Sequence, residues 1–228
     1  MNELQVQPYY LIDEKRLSLR NELLAQKDIK KEIFFKFPFT RELILPTKFY
    51  SVSDLKDDAI INKNYNILNN NVGFGIQYQW LATFCKKNKL YDLELSFEKA
   101  ENGKKGNFLR PYMSSCIKNN SETFRILDND VNSAVNQLFK YYYWPLWNIT
   151  RQDMIVIAND FSFTKIMDLT WFCHTPIKGK PCGTCNPCKD VVDYGMDYRL
   201  NKKAKLRYHV RNLKPRSLVH FIKKYVNE

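Results

Sequence analysis

An α/β fold is predicted by three features of the chain. Val6 to Asp13 reads as a short apolar strand, and an amphipathic helix follows it from about Arg16 to Ile29. A strand running straight into such a helix is the βα half of a parallel unit. Further strand and helix patterns alternate along the middle. Four cysteines then cluster towards the C-terminal end.

In the first helix Leu19, Leu23 and Leu24 take one side and charges the other. Asp13 ends the strand. In a parallel architecture that end faces a ligand crevice, so Asp13 is a candidate nucleotide contact; alternatively it caps the next helix. Residues 31–50 are aromatic-rich and interrupted by Pro38 and Pro46, which predicts an irregular, partly buried segment. Arg41 and Lys48 there are candidate phosphate contacts or solvated charges. Ser53 to Asn71 is polar and rich in asparagine, and reads as a surface connection with a short helix. Gly73 and Gly75 precede a helix from Ile76 to about Lys87 whose apolar face is Ile76, Trp80, Leu81, Phe84 and Cys85. Gly-x-Gly before a helix can set backbone amides against an anion.

Tyr91 to Phe97 alternates as a strand, and 99–110 reads as an exposed charged loop. A helix is expected from near Asn132 to Tyr143, with Val131, Val135, Leu138 and Tyr142 on one face. The aromatic run Tyr141 to Trp147 suits core packing or, alternatively, stacking on a purine. Thr150 and Asp153 form a capping box for a helix that offers Met154, Ile155, Ile157 and Ala158 to the core.

The stretch TWFCHTPIKGKPCGTCNPC, 170–188, holds Cys173, Cys182, Cys185 and Cys188. Two C-x2-C steps sharing Cys185 bring thiolates onto one ion. Gly183 suits the tight turn and Pro187 stiffens the last one. The simplest reading is a structural Zn2+ site with four cysteine ligands. An iron–sulfur cluster, His174 in place of Cys173, and reduced core cysteines without metal are the alternatives. Gly, Thr, Asn, Pro and Lys between the cysteines are poor core material. The spacing fits a reducing compartment better than a disulfide framework, and a cytoplasmic location is expected. Cys85 and Cys116 read as plain thiols.

Composition bounds the rest. The 228 residues carry a formal net charge of +12, which favours anionic partners. Seven glycines argue against a chain built from glycine-rich loops. No apolar run reaches the roughly 20 residues that span a bilayer. No signal-peptide pattern opens the sequence. From Arg199 to Glu228 there are ten Lys or Arg against one acid. Lys202, Lys203, Lys205, Arg207 and Arg211 are candidate contacts to nucleic-acid phosphates, or alternatively belong to a charged helix docked on the domain. Ser217 to Val226 is predicted helical. The expected division is one domain over 1–198, with the knot at 170–191, and a basic extension over 199–228.

The Thr170-Trp171-Phe172-Cys173 lead-in and the Cys-Gly-x-Cys-x-x-Cys run resemble the zinc motif of the 7-cyano-7-deazaguanine synthases, ATP-dependent enzymes of the PP-loop pyrophosphatase superfamily. That family usually has serine where Phe172 stands. Pro145-Leu146 and Thr150-Arg151 resemble its Pro-Leu…Thr-Lys segment, with arginine for lysine. The resemblance runs from Val6 to about Tyr194. It implies a Rossmann-like parallel sheet of the adenine nucleotide alpha-hydrolase type, with flanking helices. It also implies ATP- and Mg2+-dependent adenylation of a deazapurine carboxylate, then amide and nitrile formation. Arg151 and Lys189 become candidate substrate contacts alongside Asp13, Gly73 and Gly75. The family's arginine three residues after the last cysteine is Val191 here. The Ser-Gly-Gly-x-Asp-Ser turn that holds ATP phosphates is absent from the sequence, so the chain reads as a relative lacking its first strand–loop–helix unit. The alternative is a non-catalytic module that binds nucleotide or nucleic acid. No membrane partner is expected; an oligomer is compatible with the sequence.

Overall fold

The computed structural model describes residues 4–73, 75–99, 117–120, 123–126 and 133–212. The elements are β1 (Tyr9–Ile12), α1 (Leu19–Lys36), α2 (Thr40–Leu43), β2 (Lys48–Ser51), α3 (Ala59–Val72) and α4 (Gln77–Asn88), then β3 (Leu93–Glu94), β4 (Ile117–Asn120), β5 (Thr123–Ile126), α5 (Ala134–Phe139) and β6 (Tyr142–Trp144), and finally α6 (Arg151–Asp160), α7 (Thr164–Met167), α8 (Asn186–Asp193) and α9 (Lys202–Asn212). The fold is mixed α/β. The chain divides into two compact units, one drawn from Met1–Pro8, Asp13–Pro46 and Thr164–Glu228, the other from Tyr9–Ile12 and Thr47–Phe163.

The second unit holds both described sheets. β1 and β2 pair in parallel, Tyr9 opposite Lys48 through Ile12 opposite Ser51. β3, β6, β5 and β4 form a second sheet in that order. β3 and β6 are parallel, whereas β4–β5 and β5–β6 are antiparallel. The described strands therefore lie in two small sheets, one of them mixed, where a single parallel sheet was expected.

The first predicted strand is shorter than its apolar run. Pro8 has no N–H for a ladder, so Val6 makes only an isolated bridge to Ile44 before β1 begins at Tyr9. The helix after it runs to Lys36 rather than Ile29, because nothing between them breaks a helix. It ends where the chain approaches Pro38: Phe37, with φ −129° and ψ 74°, has left the helical region, as a residue before proline must. The segment expected to be irregular at 31–50 therefore holds the end of α1, all of α2 and most of β2.

α3 is the largest correction. Residues 53–71 are not mainly a surface connection, for α3 carries Ile61, Tyr65 and Leu68 into the core. Their i, i+4, i+7 spacing was legible but masked by the asparagines between them. Asp58 caps the helix, its Oδ1 accepting from the Ile60 and Ile61 amides at 3.1 and 3.0 Å. Its other oxygen lies 2.5 Å from Lys86 Nζ on α4. Gly73 ends the helix at φ +65°. Asp58→Ala should lower unfolding stability by about 1–2 kcal/mol, measured by urea denaturation with an unchanged slope; an unaltered midpoint would refute the cap.

A second correction concerns the aromatic run. The helix expected to reach Tyr143 ends at Phe139, and Tyr142–Trp144 is strand β6. Pairing with β3 and β5 overrides helical periodicity, as aromatic residues on a half-buried sheet permit. Tyr141, Tyr142, Trp144 and Trp147 are all buried. Phe97 stacks on Trp144 with ring centroids 4.7 Å apart. These rings are core. Cys85 is also buried there, its Sγ 3.8 Å from the Tyr142 hydroxyl, and burial pushes its thiol up to about 11.

The capping box on α6 is present: the Asp153 amide donates to Thr150 Oγ1 at 3.1 Å, and the Thr150 amide to Asp153 Oδ2 at 2.8 Å. Of the four apolar residues expected inside, only Ala158 is buried. The loop at 99–110 beyond Lys99, Cys116, Val131 and the helix at 217–226 lie outside the described residues. No helix among the described residues is long and apolar enough to cross a membrane.

Candidate metal centre

The first unit is built around the cysteines. Among its described residues the buried apolar side chains are Ile166, Cys173, Cys182, Cys188, Val191, Leu200 and Ala204. Trp171, Phe172, Cys185, Val192 and Met196 pack around them.

Each ligand position has a local cause. Trp171 Nε1 donates to the Cys173 carbonyl at 2.7 Å and fixes the entry. The eight-residue spacer then doubles back as a tight hairpin. Ile177 and Lys180 exchange backbone hydrogen bonds of 2.9 and 3.1 Å. Lys178 and Gly179 between them both have positive φ, 51° and 73°, as a two-residue I′ turn requires. Cys182 therefore returns to Cys173, and its amide donates to Cys173 Sγ at 3.2 Å. Past Gly183, the Thr184 and Cys185 amides both donate to Cys182 Sγ at 3.3 Å. Cys185 is the N-cap of α8, with Pro187 in its first turn and Cys188 just inside. Proline is suited to that turn. The positive end of the helix favours thiolate.

All four Sγ atoms lie within 4.8 Å of one another. Cys182–Cys188 and Cys173–Cys185 are each 3.9 Å apart. A disulfide needs about 2.05 Å, so these are free thiols. A tetrahedron of sulfurs around an ion with metal–sulfur bonds near 2.3 Å has edges of about 3.8 Å. The cluster has the size and donor set to hold one metal ion. His174 is exposed and stands outside it, so the alternative in which it replaces Cys173 is not the arrangement formed.

The thiols are electrostatically unequal. Burial alone would raise the Cys182 thiol, but hydrogen bonds from Thr175, Thr184 and the neighbouring amides bring it down to about 5. Burial pushes Cys173 up to about 11 and raises Cys188 further. One sulfur is thus prepared as an anion, whereas Cys173 and Cys188 would give up protons on binding metal.

A second ring of contacts comes from the basic tail. Arg207 Nε donates to the Cys182 carbonyl at 2.6 Å and Nη2 to Pro181 at 3.3 Å. Arg211 Nη1 donates to the Thr184 carbonyl at 2.8 Å. Helix α9 packs so closely that a Cβ on Gly183, at φ +80°, would lie 2.0 Å from the Ala204 carbonyl oxygen. Lys205 pairs with Asp197 at 2.5 Å, while Lys202 and Lys203 are exposed. Two of the five basic residues singled out as phosphate contacts are therefore committed to the knot. Nothing in the sequence linked Arg207 to Cys182 across 25 positions. Arg199, which donates to the Thr170 carbonyl and stacks 4.8 Å from the Phe172 ring, was likewise missed.

The proposed nucleotide contacts serve local structure. Asp13 Oδ1 accepts from the Lys15 amide at 3.0 Å. Gly73 terminates α3, and Gly75 accepts from the Tyr78 amide at 3.3 Å. Arg151 pairs with Glu98 at 2.5 Å. Lys189 lies half-buried on α8, whose Val191 is buried in the knot. Asp13 and Lys189 belong to the first unit, the other three to the second.

Comparisons with protein-family models, curated proteins and solved structures return no match.

Proposed function

We propose that this chain is a zinc-stabilised α/β protein of the 7-cyano-7-deazaguanine synthase type, with a pocket for a deazapurine carboxylate. The observation that carries this reading is the four-thiol cage raised on the Thr-Trp-Phe-Cys and Cys-Gly-Thr-Cys-Asn-Pro-Cys segments.

Zinc suits the cage better than a multi-iron cluster, which would share the four thiolates among two or four irons and spread the sulfurs beyond 4.8 Å. Four thiolates leave no open position for Lewis-acid chemistry, so the ion's task is to hold the surrounding walls. Thiols kept reduced fit the cytoplasm. A Rossmann-like ancestry is supported by the parallel pairs β1–β2 and β3–β6; an antiparallel edge on such a sheet is common.

In this reading the carboxylate would take AMP from ATP with release of pyrophosphate, Mg2+ supplying charge neutralisation; a poor electrophile would thus gain a good leaving group, and ammonia would displace AMP to give the amide. The 228 residues contain no Ser-Gly-Gly-x-Asp-Ser turn, so by themselves they should not release pyrophosphate. The same absence favours a second reading, a non-catalytic module that binds purine nucleotide.

The test combines metal analysis with ligand-induced melting shifts. One zinc per colourless chain is expected, with stabilisation by 7-carboxy-7-deazaguanine of about 2.7 kcal/mol at a hundredfold excess over Kd. A shift with ATP or GTP alone would favour the module. A brown iron-containing protein would overturn the assignment; robust pyrophosphate release would overturn only the expectation that these residues by themselves lack ATP chemistry.

A further inference from the structure

We infer that the first unit carries a binding groove for single-stranded nucleic acid on α1 and α2, apart from the metal knot. Helix α1 is 18 residues long and has no buried residue. Lys27, Lys30, Lys31, Phe34 and Phe35 follow one another at i, i+3, i+4, i+7 and i+8, a single helical stripe. With Arg41 of α2 they line an open depression of about 790 Å³.

Glu32 is the one acidic residue lining it, against four cations. The adjoining depression, lined by Asp28, Lys31, Glu32, Lys165 and Leu169, is charge-balanced, so the positive excess belongs to this groove. Among the described residues no side-chain hydrogen bond or ion pair engages Lys27, Lys31 or Arg41. Lys30 is different: its Nζ donates to the Leu45 carbonyl at 3.1 Å and ties α1 to the chain beyond α2. The groove walls are thereby held in place before any ligand arrives.

Phe35 decides the class of ligand. It is 79% exposed, an unusual position for a phenyl ring. A flat aromatic face beside a line of cations is what non-specific single-strand binders present: the cations track phosphates and the ring stacks a base. A duplex keeps its bases stacked on one another and offers nothing to Phe35. An acidic polypeptide would satisfy the cations and leave the ring unused.

The experiment is fluorescence anisotropy with a labelled 15-nucleotide oligodeoxythymidylate at 50–200 mM salt, using the whole chain. Binding is expected, and at least tenfold tighter than to a duplex of the same length. Lys27→Ala with Lys31→Ala should weaken it at least tenfold and flatten the log–log salt slope by about 1.4, from ~0.7 for each phosphate no longer neutralised. Phe35→Ala should weaken it at least fivefold with the slope unchanged, and Phe35→Tyr should restore it. These side chains are exposed, so melting temperatures should not move. The inference is overturned by absence of binding at 50 mM salt, or by binding that ignores these changes and responds to Lys202→Ala and Lys203→Ala. It is equally overturned if polyglutamate or phosphatidylserine vesicles bind more tightly than the oligonucleotide.

Discussion

Cys185→Ser should release the metal and unfold the C-terminal part of the first unit, residues 164–212, in one step. The reason lies in what that unit buries. Among its described residues, three of the seven buried apolar side chains are cysteines of the cage, and the others include Val191, Leu200 and Ala204 packed on it. With so little described hydrocarbon inside, a bound ion would supply what the core of a larger domain supplies. Structural zinc in small peptides is worth about 10–16 kcal/mol at neutral pH, comparable to the whole stability of a typical domain at ~5–15 kcal/mol. Without the ion, Cys173 and Cys188 return to buried neutral thiols that no longer tie their segments together. Metal content should fall below one per ten chains. Hydrogen exchange should become fast across 164–212 while Tyr141–Trp147 in the second unit stays protected. A metal-free variant with native protection across the knot would refute the dependence. Cys85→Ser, the control, should leave metal content unchanged, since Cys85 lies in the other unit.

Gly183→Ala should be nearly as damaging, although it removes no ligand. Two penalties fall on one position. A left-handed backbone costs an L-residue about 1–2 kcal/mol. The added methyl would meet the Ala204 carbonyl at 2.0 Å, which is main chain of α9 and not a side chain that can rotate away. Over-packing of that kind costs about 1–3 kcal/mol more. Displacing α9 would also pull Arg207 and Arg211 off the Cys182 and Thr184 carbonyls. Unfolding stability should drop by about 2–5 kcal/mol, and metal loss to a chelator should quicken by more than tenfold. Gly179→Ala separates the two causes. It has the same left-handed backbone, φ +73°, with nothing within 4 Å of the added methyl, and should cost only about 1–2 kcal/mol. Equal effects of the two substitutions would show that the approach of α9 is not the decisive factor.

Much of the metal centre was legible because its code is local. Two C-x2-C steps place donors within a few residues of each other, and Gly183 and Pro187 mark turns that only certain backbones allow. The capping box at Thr150 was readable for the same reason, since it depends on neighbours three positions away; of the face expected on α4, Phe84 and Cys85 are buried and Ile76 is exposed. α3 was legible too, through Asp58, the Ile61–Tyr65–Leu68 stripe and Gly73, but its asparagines drew the reading towards a loop.

The sequence by itself determined the four thiols, the tight turns that present them and the α/β character of the chain. Tertiary structure alone decided that Tyr142–Trp144 is a strand, because its ladder partners are Leu93–Glu94 and Phe124–Arg125, up to 49 positions distant. It alone decided that Arg207 and Arg211 brace the knot. A carbonyl left bare by a tight metal turn must find a donor, and which donor reaches it depends on where a distant helix packs, a choice no local pattern records.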